Sequence, residues 1–482
     1  MKRGMNMIGR SKEMKELQKL YDSKKAELVA VYGRRRVGKT HLVSQCFAGK
    51  FFFRHAGLSP EEEKIETPSI QLEKQLNQFY MNLLSYGLKG EKKPNDWFEA
   101  FFLLRKLLCE KDDGSRQVVF IDELPWMDTP NSSFVQAFEG FWNSFGCGQD
   151  SLLLIVCGSA TSWMENHLIN DHGGLYGRTT YEIKLAPFTL CECEELLREK
   201  GLPFSRYEIA CAYMTFGGIP FYLNYLESEY SLAQNIDNLF FKKGARLALE
   251  FDRLFRSTFT YGEKAKEIVR LLHSNSVGFT RKEIAAKTGI KEGGTLTNYL
   301  NGLIASDFVL KYVPFGFDKK EPYFKLIDPF CLFYLNFASA GGENENYFSE
   351  NLSSSKLNAY LGLSFENLCF NHIPQIKFAL GISGVSTASS ALYSKEDGTQ
   401  IDMLLTRKDN VINLCEMKFC SKPFKADKEC FFKMSHRAEV VKGKVAKKFS
   451  IRNTLISAYG LEKSEYWGAF VNVVTLDDLF KF

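Results

Sequence analysis

Short apolar runs alternate with helical patterns along the first third of the chain. Three of these runs predict buried strands, at 26–33, 117–121 and 152–157. Helical spacing of apolar positions lies between them, at 71–86 and 97–110. Because short buried strands that alternate with helices are typical of a parallel sheet, the pattern predicts an α/β fold for this part of the chain.

After Pro187 the pattern becomes mostly helical. The run from Gly217 to Pro220 interrupts it, and helical character resumes through Leu249. The elements predicted beyond Pro187 are helices at 191–201, 206–216, 264–274, 281–288 and 296–305, a Phe/Tyr-rich hairpin at 308–326, and strands at 398–406, 411–419, 454–457 and 469–472.

Length and composition are those of a globular protein with about three domains. The chain has 482 residues, and domains hold roughly 100–200 residues each. Hydrophobic residues make up 45% and charged residues 25%, which is ordinary for a globular protein. The net charge of +5 is weak evidence for a nucleic-acid partner, because dedicated binders usually concentrate more charge.

Cysteine usage and hydropathy indicate the cellular compartment. The 12 cysteines include no C-x-x-C pair, which favours buried thiols in a reducing cytosol over a metal site. Met1–Arg10 has no apolar core long enough for a signal peptide. No uninterrupted apolar stretch approaches the roughly 18–20 residues of a membrane span. We therefore expect a cytoplasmic protein without a membrane partner.

A phosphate-binding loop is predicted at residues 33–40, which fit the pattern G-x-x-x-x-G-K-[ST]. A strand leads into the loop, and 41–47 can continue it as a helix. The glycines let backbone N–H groups point at phosphate oxygens, and the helix N-terminus adds positive potential. The pattern predicts ATP with Mg²⁺, with Lys39 reaching the β- and γ-phosphates and the Thr40 hydroxyl binding the metal.

The expected contacts of this loop with the nucleotide are Gly33, Arg36, Val37, Gly38, Lys39, Thr40 and His41. Arg34, Arg35 and Arg36 are expected to be solvated, although one of them can touch phosphate.

Acidic and polar residues at the ends of the next strands predict hydrolysis. Asp122 would complete the Mg²⁺ site, and Glu123 would polarise the attacking water. Ser159 follows the third strand and would contact the γ-phosphate or the water, or else cap a helix before Trp163. Arg178 would stabilise transition-state charge, in cis or from a neighbouring subunit of a homo-oligomer, or is a surface arginine.

Together these motifs resemble the archaeal-type ATPases, in the AAA-like, signal-transduction branch of P-loop proteins. The similar segments are Ile8-Gly9-Arg10 with Glu13 and Leu17, the 33–40 loop, Phe120–Trp126, Cys157–Ser159, Leu175–Arg178 and Gly217–Pro220. They cover about residues 1–255. The resemblance implies that Gly9, Arg10 and Pro220 lie near the adenine, and that the helices at about 188–255 form a lid.

Three helices followed by a hairpin predict a winged helix at 256–327. Candidate contacts of its recognition helix are Thr295, Thr297, Asn298, Tyr299 and Asn301. The hairpin carries Lys311, Lys319 and Lys320, which can reach phosphates or form a solvated edge. Because the recognition helix lacks Arg and Lys, strong DNA binding by this face is not expected, and protein docking is an alternative use.

Two carboxylates and a lysine are placed together by the strands predicted near the C-terminus. Strand period 2 puts Glu416 and Lys418 on one face, and a turn at 408–410 lets Asp402 approach Glu416. Such a group can bind a divalent cation and activate water for phosphodiester cleavage. Glu366 would add a third carboxylate from a helix. A salt-bridged surface hairpin is the alternative.

This pattern resembles the D…E-x-K motif of restriction-endonuclease-like nucleases, over roughly residues 328–482. Archaeal-type ATPases often carry such a domain at the C-terminal end. The resemblance implies a metal bound by Glu366, Asp402 and Glu416, with Lys418 catalytic. A basic stretch that can hold a nucleic-acid backbone or form a solvated helix face contains Lys433, His436, Arg437, Lys442, Lys444, Lys447 and Lys448.

The sequence thus predicts a P-loop ATPase core at 1–187, a helical lid at 188–255, a winged helix at 256–327 and a restriction-endonuclease-like α/β domain at 328–482. One hypothesis is an ATP-driven enzyme acting on nucleic acid, with DNA the expected partner. The other is a nucleotide-dependent switch or scaffold with an inactive nuclease fold. The D…E-x-K residues favour the first, and the uncharged recognition helix favours the second.

Overall fold

The computed structural model describes residues 7–59, 67–169, 175, 177–258, 262–315, 322–339, 344–393 and 399–482. Contacts within the chain divide it into two units. The first comprises Met1–Ala186 with Leu254–Gly262, and the second comprises Pro187–Arg253 with Glu263–Phe482. No helix in the described ranges is both long and apolar enough to cross a membrane.

Up to Ala186, the described residues of the first unit form five strands and six α-helices. The strands are β1 Glu27–Tyr32, β2 Phe51–Ala56, β3 Gln117–Asp122, β4 Leu152–Gly158 and β5 Tyr181–Lys184. The helices are α1 Ser11–Asp22, α2 Lys39–Cys46, α3 Pro68–Ser85, α4 Trp97–Glu110, α5 Phe134–Ser144 and α6 Thr161–Met164. The strands form one parallel sheet in the order β2-β3-β4-β1-β5, which confirms the predicted α/β fold.

The three strands that the sequence predicted are the three central ones. Every residue of β1, β3 and β4 is buried, as expected for strands with both faces covered. The edge strands β2 and β5 were not predicted. In β5 only Ile183 is buried, and β2 includes Arg54 and His55, so neither presents a purely apolar run.

Aromatic side chains pack one side of this sheet. The ring of Trp97 lies 5.6 Å from Phe79 and 5.0 Å from Phe134, both edge to face. Phe101 packs beside Phe79 at 5.9 Å. All four side chains are at most 2% exposed, and edge-to-face pairs add to the stabilisation that burial provides. This cluster joins α3, α4 and α5 into one layer.

Fourteen helices and eight strands follow Pro187 in the described residues. The helices are α7 Leu190–Glu199, α8 Arg206–Phe216, α9 Pro220–Leu223, α10 Leu232–Phe240, α11 Glu250–Thr258, α12 Gly262–His273, α13 Arg281–Thr288, α14 Gly294–Ala305, α15 Pro329–Phe333, α16 Tyr347–Glu350, α17 Ser355–Asn371, α18 Ile373–Ala379, α19 Lys428–Gly443 and α20 Leu476–Leu479. The strands are β6 Phe279–Thr280, β7 Val309–Tyr312, β8 Tyr323–Leu326, β9 Thr387–Tyr393, β10 Gln400–Arg407, β11 Val411–Lys418, β12 Ser450–Ser457 and β13 Asn472–Thr475.

These strands form two sheets in the second unit. The small sheet is antiparallel, in the order β6-β8-β7. The large sheet has the order β13-β12-β11-β10-β9, with β9, β10 and β11 antiparallel and β11, β12 and β13 parallel. The strand predicted at 469–472 was misplaced: Trp467–Ala469 is a 3₁₀ turn, and β13 starts at Asn472.

The helices just after Pro187 are bonded to helices near the C-terminus within the second unit. The Tyr360 hydroxyl donates to the Met214 carbonyl at 2.6 Å. The Leu190 N–H donates to His372 Nε2 at 3.0 Å, and Arg206 pairs with Asp477 at 2.9 Å. The helices of the predicted lid therefore belong to the same unit as the C-terminal sheet.

The predicted hairpin at 308–326 also contacts the C-terminal elements. Phe315 packs against the core of the large sheet, and its N–H donates to the Ala391 carbonyl at 2.9 Å. On β8, Lys325 reaches within 4.0 Å of Glu366. Lys311 is exposed, and Lys319 and Lys320 lie outside the described residues.

Candidate nucleotide site and C-terminal cavity

The loop between β1 and α2 needs glycine at its first position. Gly33 has φ +137°, and a Cβ there would lie 2.4 Å from the Leu185 carbonyl oxygen. Gly38 precedes α2 in a left-handed conformation, with φ +95°. Arg36 is also left-handed, at φ +73°. These turns curl the backbone between the strand and the helix, as a phosphate-binding loop requires.

Lys39 is buried and lies across this loop. Its Nζ donates to the carbonyl oxygens of Gly33 at 2.9 Å and Arg34 at 3.0 Å. The ammonium group is therefore held at the loop, where phosphates would bind. Val37 is buried, whereas His41 is exposed. The expectation that Arg34 is solvated was wrong, because only 1% of its surface is exposed.

Arg10 supports the loop from the N-terminal side. Its Nη2 donates to the Val37 carbonyl at 3.3 Å and to the Ala186 carbonyl at 2.7 Å. Arg10 is 4% exposed, so the bonds are shielded from water. Its predicted contact with adenine stays a prediction, as does that of Gly9. Pro220 starts α9 in the second unit.

Thr40 and Asp122 join the loop to the end of β3. The Thr40 hydroxyl donates to Asp122 Oδ2 at 2.7 Å, while the Glu123 N–H donates to Asp122 Oδ1 at 3.0 Å. A hydroxyl and a carboxylate are oxygen donors of the kind that Mg²⁺ prefers. The donor set at this edge of the sheet therefore fits Mg²⁺.

Glu123 and Ser159 meet at the same edge, from neighbouring strands. Glu123 has a left-handed backbone, with φ +46°. Its Oε2 accepts from the Ser159 N–H at 3.0 Å and from the Ser159 hydroxyl at 2.8 Å. The alternative role of Ser159 as a helix cap is not observed, because α6 has Ala160 at its N-cap. Arg178 is exposed, and its proposed catalytic role stays a prediction.

Residues 7–226 match the family model described as an ATPase domain predominantly from Archaea. This part of the chain is therefore similar to an archaeal-type ATPase domain. The match covers the whole 33–40 loop, Asp122, Glu123 and Ser159, and it ends before the elements that follow residue 226.

Individual relatives are distant. An uncharacterized protein of Methanocaldococcus jannaschii is 24% identical over 365 residues, which cover 75% of this chain and 76% of the relative. Among solved structures, a Walker-type ATPase of Pyrococcus abyssi has a TM-score of 0.48 at 19% identity, covering 69% of this chain and 97% of the other. The ORC2 protein of Aeropyrum pernix, in ADPNP and ADP complexes, has a TM-score of 0.34 at 12% identity, covering 73% and 97%.

Beyond the matched residues, the predicted acidic group is assembled by the β10–β11 hairpin. Met403 pairs with Cys415 in the antiparallel register, which places Asp402 beside Glu416. The Met417 N–H donates to Asp402 Oδ2 at 3.2 Å. Lys418 Nζ lies 2.8 Å from Glu416 Oε1. The hairpin therefore brings together the three residues of the D…E-x-K pattern.

Arg437 is a member of this group whose role the sequence did not indicate. It lies on α19, is 5% exposed and forms an ion pair with the buried Glu416. Burial alone would raise the pKa of Glu416, but the charges of Lys418 and Arg437 lower it. Glu416 is thus a carboxylate held between two cations.

The charges of the other two carboxylates, Glu366 and Asp402, are less well compensated by neighbouring cations. Burial and the charge of Asp402 raise the pKa of Glu366 to about 7. Burial and the charge of Glu416 raise the pKa of Asp402. Lys325 lies near both, and burial lowers its pKa. Mutual repulsion in a poorly hydrated place explains the two raised values.

A cavity of about 650 Å³ opens beside these groups. Its wall includes Glu366, Asp402, Glu416, Lys418, Phe419, Lys433, His436 and Arg437. In the part of the chain that the structure describes, no three His, Cys, Asp or Glu side chains are grouped so as to hold a metal ion. A cation at Glu416 would have to displace the pair with Lys418 or with Arg437.

The twelve cysteines differ in burial. None of them forms a disulfide bond. Five of them are buried and two are exposed, the exposed ones being Cys109 and Cys147. The expectation of free thiols is confirmed, while full burial was wrong for these two.

Proposed function

We propose that the ATPase domain hydrolyses ATP with Mg²⁺ at the 33–40 loop. The observation that carries this proposal is the 2.7 Å hydrogen bond between Thr40 and Asp122. It joins the phosphate-binding loop to the acidic end of β3, so that both act on one bound phosphate. Mg²⁺, when bound, supplies positive charge beside the phosphates, and Thr40 and Asp122 would hold it.

The remaining side chains of the site have complementary roles in this proposal. Lys39 exchanges its loop carbonyl partners for phosphate oxygens. Glu123 accepts a proton from, or polarises, the attacking water. Ser159 is a positioning residue that keeps the Glu123 carboxylate in one orientation. Arg178 stabilises charge that develops on the transferred phosphoryl group.

Replacement of the loop lysine tests this proposal. Lys39→Ala should lose both ATP binding and turnover, because the ammonium group held at the phosphate position is removed. Lys89→Ala, at an exposed lysine of the same domain, serves as the control and should behave as wild type. Turnover by Lys39→Ala at the wild-type rate would refute the proposal.

We propose further that the second unit acts on nucleic acid. Residues 256–327 would form a winged helix, and 328–482 a restriction-endonuclease-like domain that cleaves phosphodiesters. The proposal is supported by the cavity that Asp402, Glu416 and Lys418 line together. Asp402 and Glu416 would hold a divalent cation once it displaces one of the ion pairs of Glu416. The cation supplies Lewis acidity when bound, and Lys418 would orient the attacking water.

A cleavage assay tests the nuclease proposal. DNA and RNA are incubated with Mg²⁺ or Mn²⁺, with and without ATP. Asp402→Asn should abolish any cleavage seen with wild type, whereas Asp409→Asn should not, because Asp409 lies exposed in the turn of the same hairpin. Equal cleavage by the Asp402 variant would point to a contaminant and refute the assignment.

A nucleotide-dependent switch with an inactive nuclease fold is the second candidate function. It is favoured by the pairing of Glu416 with both Lys418 and Arg437, which leaves the carboxylate neutralised without a metal. Under this alternative, ATP turnover persists and no nucleic acid is cut under any metal or nucleotide condition.

The middle module supports docking more than direct DNA readout. Thr295, Asn298 and Asn301 are exposed on α14, but none is charged, and phosphate contacts normally dominate DNA affinity. If this face binds DNA, Asn298→Glu with Asn301→Glu should weaken binding in a salt-dependent way. Unchanged affinity would show that this face does not contact DNA.

A further inference from the structure

Two neighbouring parallel strands of the large sheet end in aromatic residues. Lys418 and Ser457 are paired at the ends of β11 and β12, and Phe419 and Tyr459 follow them closely. Tyr207, from α8, has its ring 4.5 Å from Phe419 at 14° and 5.8 Å from Tyr459 at 15°. We call Tyr207, Phe419 and Tyr459 the aromatic stack.

The aromatic stack leads from the cavity to the surface. Phe419 is part of the cavity wall, next to Lys418. Tyr459 has 49% of its surface exposed, although it lies beside a largely buried sheet. The contact with the nearly parallel ring of Tyr207 restricts the orientation of the Tyr459 ring, so less ordering of this side chain is needed when a base stacks on it.

Basic side chains lie on another wall of the same cavity. Lys433, His436 and Arg437 all come from α19. Of these, Lys433 and His436 are exposed, whereas Arg437 is held by Glu416. Phe432, adjacent to Lys433, is 58% exposed. The cavity therefore offers positive charge and aromatic surface side by side.

This pairing of chemistries matches one class of ligand. Single-stranded nucleic acids bind to basic grooves that follow the backbone and to aromatic rings on which unpaired bases stack. A volume of about 650 Å³ lies in the range of roughly 300–1,000 Å³ for sites that take one small ligand. The cavity can admit a nucleotide of a flexible single strand. The bases of a duplex are already stacked on one another, so their faces are not available to an aromatic side chain.

We propose that the aromatic stack binds unpaired bases of a single-stranded nucleic acid whose backbone passes over the cavity, near Lys433 and His436. This inference rests on the proposed action of the second unit on nucleic acid, and it names the substrate class. It does not depend on cleavage.

A purely structural role is the alternative for the same residues. Tyr207 would then only fasten α8 to the large sheet, and the exposure of Tyr459 would have no consequence. Tyr459→Leu separates the two roles, because leucine keeps apolar bulk at the position but has no aromatic face. Since about half of the surface of Tyr459 is exposed, the variant should fold and melt like wild type.

The experiment measures binding by the full-length chain in EDTA, so that cleavage cannot interfere. The probes are a fluorescent single strand of about 15 nucleotides and the blunt duplex of the same sequence, followed by anisotropy. The single strand should bind at least about tenfold more tightly than the duplex. Tyr459→Leu should weaken single-strand binding by about fivefold or more, as expected for one lost base stack.

Tyr230→Leu provides the matched control, because Tyr230 is another exposed tyrosine of the second unit, 37% exposed and outside the cavity wall. It should leave binding unchanged. Unchanged single-strand affinity in Tyr459→Leu, or equal affinity for single strand and duplex, overturns the inference.

The cleavage assay with Asp402→Asn separates this outcome from failure of the nuclease proposal. Single-strand binding that depends on Tyr459 without any cleavage upholds the inference and removes the nuclease. Cleavage that depends on Asp402, together with binding that does not depend on Tyr459, supports the nuclease proposal and overturns the inference about the aromatic stack. If neither the single strand nor the duplex binds, the inference is overturned as well.

Discussion

Ser159 donates two hydrogen bonds to a single carboxylate oxygen of Glu123, from its backbone N–H at 3.0 Å and from its hydroxyl at 2.8 Å. Ser159 is fully buried, and the Glu123 backbone is left-handed. The carboxylate is thus oriented from the neighbouring strand rather than by its own loop. A carboxylate can align an attacking water only if its own orientation is fixed.

Ser159→Ala should therefore slow ATP hydrolysis without weakening ATP binding. One hydrogen bond to a charged group contributes about 1.5–3 kcal/mol, which predicts a decrease in turnover of roughly tenfold or more. Phosphate release and nucleotide affinity are measured on the same samples. Ser151→Ala, next to the opposite end of β4, should match wild type. A parallel loss of affinity in Ser159→Ala would show that Ser159 acts on binding instead.

Gly33→Ala should abolish ATP binding and destabilise the first unit. The added Cβ would approach the Leu185 carbonyl oxygen at 2.4 Å, so the loop must move. Gly49→Ala is the control, because Gly49 also has a positive φ, +74°, but open space around its Cβ position. It should cost only the backbone strain of about 1–2 kcal/mol. Equal effects of the two substitutions on ATP binding would contradict the close approach at Gly33.

The second unit should lose stability as the pH falls below about 6.5, in part because of His372. Burial lowers the pKa of His372 to about 4, and its Nε2 accepts the hydrogen bond from Leu190. Because the folded pKa lies below the unfolded one, this contribution is complete above pH 6.5 and is lost progressively toward pH 4. At pH 5 the expected loss is about 2 kcal/mol.

Calorimetry of the full chain at pH 7.5 and pH 5.0 checks this expectation. His372→Gln, which does not titrate, should show a smaller shift of the melting temperature between the two values than wild type does. His55 in the first unit, whose pKa burial lowers to about 3, is unchanged in the variant and provides an internal reference. An identical shift in both proteins would contradict the role of His372.

Arg437→Met should destabilise the second unit by about 3–5 kcal/mol, the usual effect of removing one partner of a buried ion pair. Lys433→Met, an exposed position on the same helix, should change stability by only about 0.5 kcal/mol or less. Adding Glu416→Gln to Arg437→Met should restore part of the loss, because the buried charge that Lys418 alone would still compensate disappears. Denaturant titration measures all three. No recovery in the double variant would contradict the ion pair as the cause.

The sequence predicted those residues of the nucleotide site whose positions are determined by the ends of the parallel strands. Asp122 and Glu123 lie just after a continuous apolar run, whereas Lys39 and Thr40 end the glycine-containing loop that follows another such run. The carboxyl ends of parallel strands share one edge of the sheet. The bond between Ser159 and Glu123 could not be predicted, because it depends on the left-handed backbone at Glu123.

The acidic group around Asp402 and Glu416 was also predicted only in part from the sequence. Strand periodicity and a turn were enough to place Asp402 near Glu416. Arg437 and Lys325 reach the same group from a helix and from a distant hairpin, and no local spacing relates them to it. Arg34 was expected in solvent because arginine usually is, yet the fold buries it.

The central claim is that the 33–40 loop and the end of β3 form a site that hydrolyses ATP. Its most direct test is phosphate release from Mg-ATP by the wild-type chain and by Glu123→Gln, with ATP affinity measured in parallel. Glu123→Gln should bind ATP as wild type does. It should release phosphate at least about 100-fold more slowly than wild type, as expected for the loss of a general base. Equal rates of phosphate release by the two proteins would contradict the account.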